Sequence, residues 1–509
     1  MLTRGLAVMA LLGAGFSACS TAKTPRGLAQ DALAAMGGAD KIRAIQTIVM
    51  DGGAGTRMRL GQTVRVGAAE TPGELKDVVE VLDLAGGRAS LDYLLSNGGF
   101  MQHRHEILTK KGDKPVGIEI VPMRPIVATS PGGLFSWGTQ NSPEMSLKRH
   151  PVTILLAAAA SASDTQGVED RALNTKTYKY GAAKTVSGEE VGIYYDPQSR
   201  LPVAYEVTDT ETMLGDVAAQ YLLDDYKAVN GVTLPHHITI RKGGKDYSEI
   251  RYAKISINDP AANQAFAIPE EAAKEADEAI AAGDYSPVTL AKIADGLYFA
   301  RAYSHNSMVV EFPNWLAVVE APYTETQTKT LARVLQAQFP NKPVRYAAVT
   351  HHHYDHTGGV RAIAALGATV LVEKGHESAI RELLDAPHAH LPDELERRRR
   401  AQPPQATGTI EVYDRKKIVS DGGQSLELYA ISGSPHVDPM VLAYVPRSRA
   451  LFQSDLFFPG TGAGGPAAEH LLTSVRALKL RVDTNVGGHG GVGPFAELVK
   501  AATPAKPAR

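Results

Sequence analysis

Thr350-His351-His352-His353-Tyr354-Asp355-His356-Thr357-Gly358-Gly359 is the stretch that decides the reading of the C-terminal half. It follows VRYAAVT (344–350), an apolar run with the composition of a strand. That places it on the loop at a strand's carboxyl end, where α/β sheets carry their sites. His351, His353, Asp355 and His356 put four potential ligands within six residues. Crowded imidazoles repel once protonated, and a divalent cation removes that problem by holding each ring neutral. Residues at i and i+2 in extended backbone point the same way, so His351 and His353 can grip one ion. Asp355 and His356 follow as the chain turns into the next helix and can face a second. Gly358 and Gly359 let that helix begin close to the site.

The surrounding pattern is layered. KIADGLYFARA (292–302), SMVVEFP (307–313) and WLAVVEAP (315–322) read as successive strands. TETQTKTLARVLQAQF (324–339) reads as an amphipathic helix, GGVRAIAALG (358–367) as a helix and ATVLVE (368–373) as a strand. LELYAI (426–431), MVLAYVP (440–446) and ALFQSDLFF (450–458) are strands again. Strands followed by alternating strand and helix predict an α/β domain. Residues 385–407 read as a surface insertion, with Arg397–Arg400 on a solvated helix face.

The stretch carries HxHxDH in full and resembles the metallo-β-lactamase superfamily over residues 290–500. Later landmarks occur in the family's order: Ser434-Pro435-His436, Asp455, and Gly488-His489-Gly490. His356, His436, Asp455 and His489 are separated by 80, 19 and 34 residues. The resemblance implies an αββα sandwich with a metal centre between its two sheets. It implies one ion on His351, His353 and His436, a second on Asp355, His356 and His489, and Asp455 with a hydroxide bridging them. Two Zn2+ per chain are expected, with iron or manganese as substitutes, and Asp355 as the group that orients the attacking hydroxide or accepts its proton. Zinc lowers the pKa of bound water to about 7, so no serine or cysteine nucleophile is required.

Departures from named subfamilies narrow the expectation. Asp455 stands where β-lactamases of this fold usually carry cysteine or serine. Only 20 residues follow His489, too few for the C-terminal helical region of glyoxalase II. Leu456, Phe457 and Phe458 replace the tyrosine of acyl-homoserine lactonases, and His353 replaces the glutamate of flavodiiron enzymes. Three readings stay open: a dinuclear zinc hydrolase acting on a small ester, lactone, thioester or amide, a mononuclear iron persulfide dioxygenase, and a non-catalytic envelope binding protein.

The other histidines have blander readings. His352 alternates away from its neighbours and reads as outer to the ligands. His103 and His105 read as surface-strand residues without a visible acidic or histidine partner. His236 and His237 read as strand residues, and His376 as structural near the site's rim. His388 and His390 lie in the insertion, as candidates for the substrate entrance. His305 and Asn306 fall on a loop near the metal centre by resemblance, with no role assigned.

The N-terminal half differs. Residues 1–19 read as an export signal: Arg4, then the apolar run 6–16, ending in Phe16-Ser17-Ala18-Cys19. The ending resembles a bacterial lipoprotein box, with Phe16 in place of the usual leucine. The chain's single cysteine sits where lipidation needs it. The expected location is therefore the periplasm or the outer membrane, with membrane contact through a lipid at Cys19. Residues 24–267 read as a β-rich domain. TPRGLAQDALAAMGGADKIRAI (24–45) reads as a helix closed by Gly37-Gly38, and SLKRHPVTILLAAAASA (146–162) as one helix. Asn230-Gly231 reads as a hairpin turn within 226–240. QTIVMDG, ELKDVVEVLDL, EEVGIYYD, LPVAYEVTD and HHITIRKG supply short Val-, Ile- and Tyr-rich strands. The layout is similar to the curved-sheet folds of periplasmic lipoprotein carriers. Residues 268–286 read as an acidic linker helix, and 287–502 as the metallo-β-lactamase-like domain.

Composition agrees with a multidomain globular chain. There are 509 residues, 44% hydrophobic, with 53 Lys+Arg against 55 Asp+Glu. A net charge of −2 gives no electrostatic case for nucleic acid. A single cysteine excludes an intramolecular disulfide and a four-cysteine zinc site. The expected partner is a small-molecule substrate.

Overall fold

The computed structural model describes residues 22–502 apart from 98–99, 112–113, 122–123, 129–142, 162–166, 186–187, 275–276, 278–286, 303–304 and 462–463. The export-signal reading and Cys19 lie outside the described residues, as does most of the 268–286 linker, of which 270–274 is helical. Among the described residues no helix is long and apolar enough to cross a membrane.

The first half is one 14-stranded antiparallel sheet. Two meanders meet where strand Thr47–Met58 pairs with Lys245–Arg251, so the first strand lies mid-sheet. The Asn230-Gly231 turn joins Gly215–Val229 to Val232–Lys242, with φ of 49° and 78° at the two central residues. Positive φ at both is what a tight hairpin turn needs to match strand twist. Helices Pro25–Ala35 and Pro151–Ala160 cover one face. Leu28, Leu33, Ile154 and Leu155 pack there with Ile48, Tyr205 and Tyr221.

One expected helix is broken, and the other closes at Gly37-Gly38 as expected. The 146–162 run forms Pro143–Arg149 and Pro151–Ala160. His150, before the proline, is extended (φ −61°, ψ 139°), because proline's ring disfavours helical backbone in the preceding residue. The helix within 24–45 runs over Pro25–Ala35 and is closed by Gly37 and Gly38, whose φ are 117° and 106°; a second short helix, Ala39–Arg43, follows them. Cross-strand register also corrects the reading of His103 and His105. Asp92 lies opposite His105 and places a carboxylate oxygen 2.7 Å from His103 Nε2. Sequence spacing cannot show such a partner, because pairing register is set by the sheet.

The second half is an αββα sandwich. A seven-stranded sheet ends in parallel strands Leu316–Val319, Val344–Ala348, Thr369–Glu373 and Ile410–Tyr413. A six-stranded sheet runs from Lys416–Asp421 to Val492–Pro494. Their facing sides form one apolar layer, with Leu297, Phe299, Met308 and Val310 against Leu426, Leu428, Val441 and Phe452. Alternate residues Tyr298, Ala300 and Val309 turn the other way, onto helix Glu325–Gln338 and helix Val360–Ala365. Helices Pro466–Ala477 and Phe495–Ala501 cover the outer face of the second sheet. Helix Glu325–Gln338 starts where Thr324 Oγ1 accepts from the Gln327 N–H at 3.1 Å.

Candidate metal centre

Every residue expected to bind an ion lies just beyond the end of a strand. His351, His353, Asp355 and His356 follow Val344–Ala348. His436 follows Gln424–Ile431, Asp455 follows Ala450–Gln453, and His489 follows Thr484–Gly487. Apolar strands packed on both sides hold these ends rigidly, which is what a preorganised site requires. The glycines act by absence. A Cβ on Gly358 would sit 2.1 Å from the Tyr323 carbonyl, and one on Gly359 1.9 Å from Thr328 Oγ1. The helix start therefore presses against its neighbours as no other residue would allow.

Two ligand groups that share no residue result, and a third set, Glu320, His351 and His356, overlaps both. His351, His353 and His436 bring one candidate ligand atom each within 4.8 Å of one another, and so do His305, Asp355, His356 and His489. Asp455 stands between them. Its Oδ2 is 3.4 Å from His351 Nε2, 3.5 Å from His436 Nε2 and 2.9 Å from His356 Nε2, while Oδ1 is 3.1 Å from His489 Nε2. The Nε2 atoms of His351, His356 and His436 and the Oδ2 of Asp455 are buried without a hydrogen-bond partner. Buried polar atoms without partners are costly, and several converging on one space fit a cation there. All-N/O donors suit zinc, iron or manganese.

Electrostatics agree with that fit. Burial, reinforced by neighbouring histidines, holds His351 and His436 below the ordinary imidazole range, and His353 down to about 3. These rings are neutral, as ligands must be. Burial also opposes charge on His356, but Asp455, Glu320 and Asp355 together outweigh it and raise its pKa. Burial pushes Asp355 and Asp455 upward; the surrounding imidazoles win and hold both carboxylates ionised.

Glu320, Gln62 and Thr63 were not identified from sequence, and His305 was placed near the centre by resemblance without a role. Glu320, fully buried at the end of strand Leu316–Val319, takes His356 Nδ1 at 2.9 Å, Ser454 Oγ at 2.7 Å and the Thr350 hydroxyl. It orients His356 so that Nε2 faces the site. A charged residue ending an apolar strand was the available signal. His305 joins the second group, with Nε2 3.2 Å from Asp355 Oδ2 and its ring 4.1 Å from that of His489. Gln62 and Thr63 come from the β-rich half: Gln62 Nε2 donates to Asp355 Oδ1 at 2.7 Å, and the Thr63 carbonyl lies 3.1 Å from His353 Nε2. Nothing local in sequence marks them.

Several other histidines have structural partners. His352 is outside both groups and sits between Thr63 Oγ1 (3.2 Å) and His376 Nδ1 (3.3 Å). His237 pairs with Glu249 at 2.9 Å, and His236 Nδ1 bonds the Leu234 carbonyl at 3.1 Å. The 385–407 segment docks on the β-rich sheet: Asp216 accepts from the N–H groups of Ala389 (2.5 Å) and His390 (2.9 Å). Of the two entrance candidates, His388 is buried 4.0 Å from Asp393 inside the insertion and His390 is exposed. Partly exposed His436 and His489, with Phe458 5.0 Å from the His489 ring, form the accessible edge.

Residues 300–489 match the family model described as "Metallo-beta-lactamase superfamily". No curated protein matches the chain. Among solved structures the chain is similar to a metallo-beta-lactamase from Hirschia baltica, at 16% identity over 42% of this chain and 96% of that one, with a TM-score of 0.32. It is also similar to a metallo-beta-lactamase from Pontibacter korlensis, at 17% identity over 42% and 97%, with a TM-score of 0.34.

Proposed function

We propose that a metallo-beta-lactamase-type domain makes this chain a metal-dependent hydrolase with two zinc ions, acting on a small ester, lactone, thioester or amide. The observation that carries the reading is Asp455, one carboxylate in contact with histidines of both ligand groups. His351, His353 and His436 would hold one ion, Asp355, His356 and His489 the other, and Asp455 both. Zinc bound there lowers the pKa of a coordinated water to about 7, which supplies a nucleophile at neutral pH.

The chain's own residues do the rest. Asp355, ionised and fixed by Gln62 and His305, offers a carboxylate to orient the attacking water. Glu320 keeps His356 turned toward the site. The accessible edge at His436, His489 and Phe458 admits substrate from one side. The aspartate at 455, where β-lactamases of this fold usually carry cysteine or serine, directs the proposal away from β-lactams. Export by the 1–19 signal and anchoring through Cys19 belong to the same proposal, which puts the enzyme in the cell envelope.

The test is a panel of ester, lactone, thioester and amide substrates offered to the zinc-loaded chain and to His351→Ala. Hydrolysis by the first and none by the second supports the proposal. Oxygen uptake with a persulfide by an iron-loaded chain would instead select a dioxygenase. Neither activity would leave a binding protein.

A further inference from the structure

The loop at residues 59–71, between strands Thr47–Met58 and Pro72–Asp83, leaves the large sheet and meets the metal-binding edge of the other domain. Its hydrogen bonds to that domain fall on the ligands or within two residues of them. Gln62 reaches Asp355 and the Thr63 carbonyl reaches His353. The Val64 carbonyl accepts from the Asp438 N–H at 2.8 Å, two residues past His436, and the Arg65 guanidinium pairs with the Asp438 carboxylate at 2.5 Å. Internal bonds brace the loop. The Gly61 N–H donates to Glu70 at 2.7 Å, the Gln62 N–H to the Arg59 carbonyl at 3.1 Å, and Thr63 Oγ1 to the Arg65 carbonyl at 2.8 Å.

Each contact has a chemical consequence. A neutral imidazole carries one proton. With Nε2–H donated to the Thr63 carbonyl, His353 presents Nδ1 as its lone-pair nitrogen. A ligand histidine generally needs such an outer partner to fix its tautomer and ring angle. Asp355 has two chemically equivalent oxygens. The Gln62 amide occupies Oδ1, so Oδ2 is the one left facing His305 (3.2 Å) and His356 (3.8 Å). Without that donor only the contacts at Oδ2 restrain the carboxylate's rotation.

We infer that the 59–71 loop of the β-rich domain is a wall of the metal centre, and that Gln62 is a positioning residue selecting the Asp355 oxygen offered to the second ion. The inference rests on the metal reading above. It gives the N-terminal domain a direct part in the site, and it makes the two ions differently sensitive to that domain: the second through a side chain, the first through a main-chain carbonyl.

The experiment uses the full chain and cobalt(II) as the probe ion, read by visible absorption and by chelator competition. Wild type, Gln62→Met, Gln62→Ala and His489→Ala are compared. Methionine matches glutamine in length and cannot donate. In Gln62→Met, affinity for the ion absent from His489→Ala should fall by about 10- to 100-fold, the usual effect of losing an outer-shell partner. The other ion should bind as in wild type, with its absorption unchanged. Equal loss at both positions with a lowered melting temperature would mean that Gln62 only holds the loop in place, and unchanged affinity at both would mean it does nothing; either overturns the inference. A wild-type chain that takes fewer than two ions overturns instead the metal reading beneath it.

Discussion

Glu320→Gln gives a sharp perturbation of the centre with little change in shape. In the structure one oxygen of Glu320 takes the hydroxyls of Thr350 and Ser454, and the other takes His356 Nδ1 at 2.9 Å. A glutamine carbonyl can still accept both hydroxyls, but its amide nitrogen then faces Nδ1 with a donor. His356 avoids a donor–donor contact only by moving its proton to Nε2, the atom that lies 2.9 Å from Asp455 and faces the site. A protonated Nε2 cannot bind a cation. Loss of an outer-shell carboxylate costs about 10- to 100-fold in metal affinity, or about 1.4–2.7 kcal/mol. Chelator competition on the zinc-loaded full chain should show that loss at the second ion, with the ion on His351, His353 and His436 unaffected. Unchanged affinity at the second ion, or equal loss at both, would refute the argument that Glu320 acts through His356.

Three further outcomes follow from the same geometry. Burial holds His150 down to about 4 and His376 to about 3, and His353 is held equally low in the metal-free chain. These depressed groups stay neutral while the unfolded chain takes up protons below about pH 6.5, so the unfolded state binds more protons and stability is lost as pH falls. The metal-free melting temperature should drop steeply from pH 6.5 to 4, and zinc-loaded protein should release its metal over that range; a flat profile would contradict the burial. Arg361→Ala removes a buried guanidinium that pairs with Asp393 and donates to the carbonyls of Leu383, Leu384 and Ala386. It should cost about 3–5 kcal/mol and speed proteolysis within 385–407. Phe452→Ala opens the layer between the two sheets and should cost about 3–5 kcal/mol in a denaturant titration.

What could be read from sequence tracks how local each constraint is. His351, His353, Asp355 and His356 lie within one turn of chain, and their spacing alone places them together. His436, Asp455 and His489 required the family resemblance, since 80-, 19- and 34-residue intervals carry no geometry. Glu320 and His305 are single residues 30 or more positions away from the ligands they orient. Gln62 is 293 residues from Asp355, and its role exists only because two domains pack together. The break at Pro151 was legible in principle: the proline's effect on His150 is local, but the apolar run around it outweighed that signal. The Asp92 partner of His103 was not legible, because a strand's neighbours depend on register.

The strongest single test of a two-ion centre is metal analysis of the full chain, expressed without added metal and then offered zinc. The account predicts two zinc ions per chain, falling to one in His489→Ala. One iron per chain, or no bound metal after zinc is supplied, would contradict it.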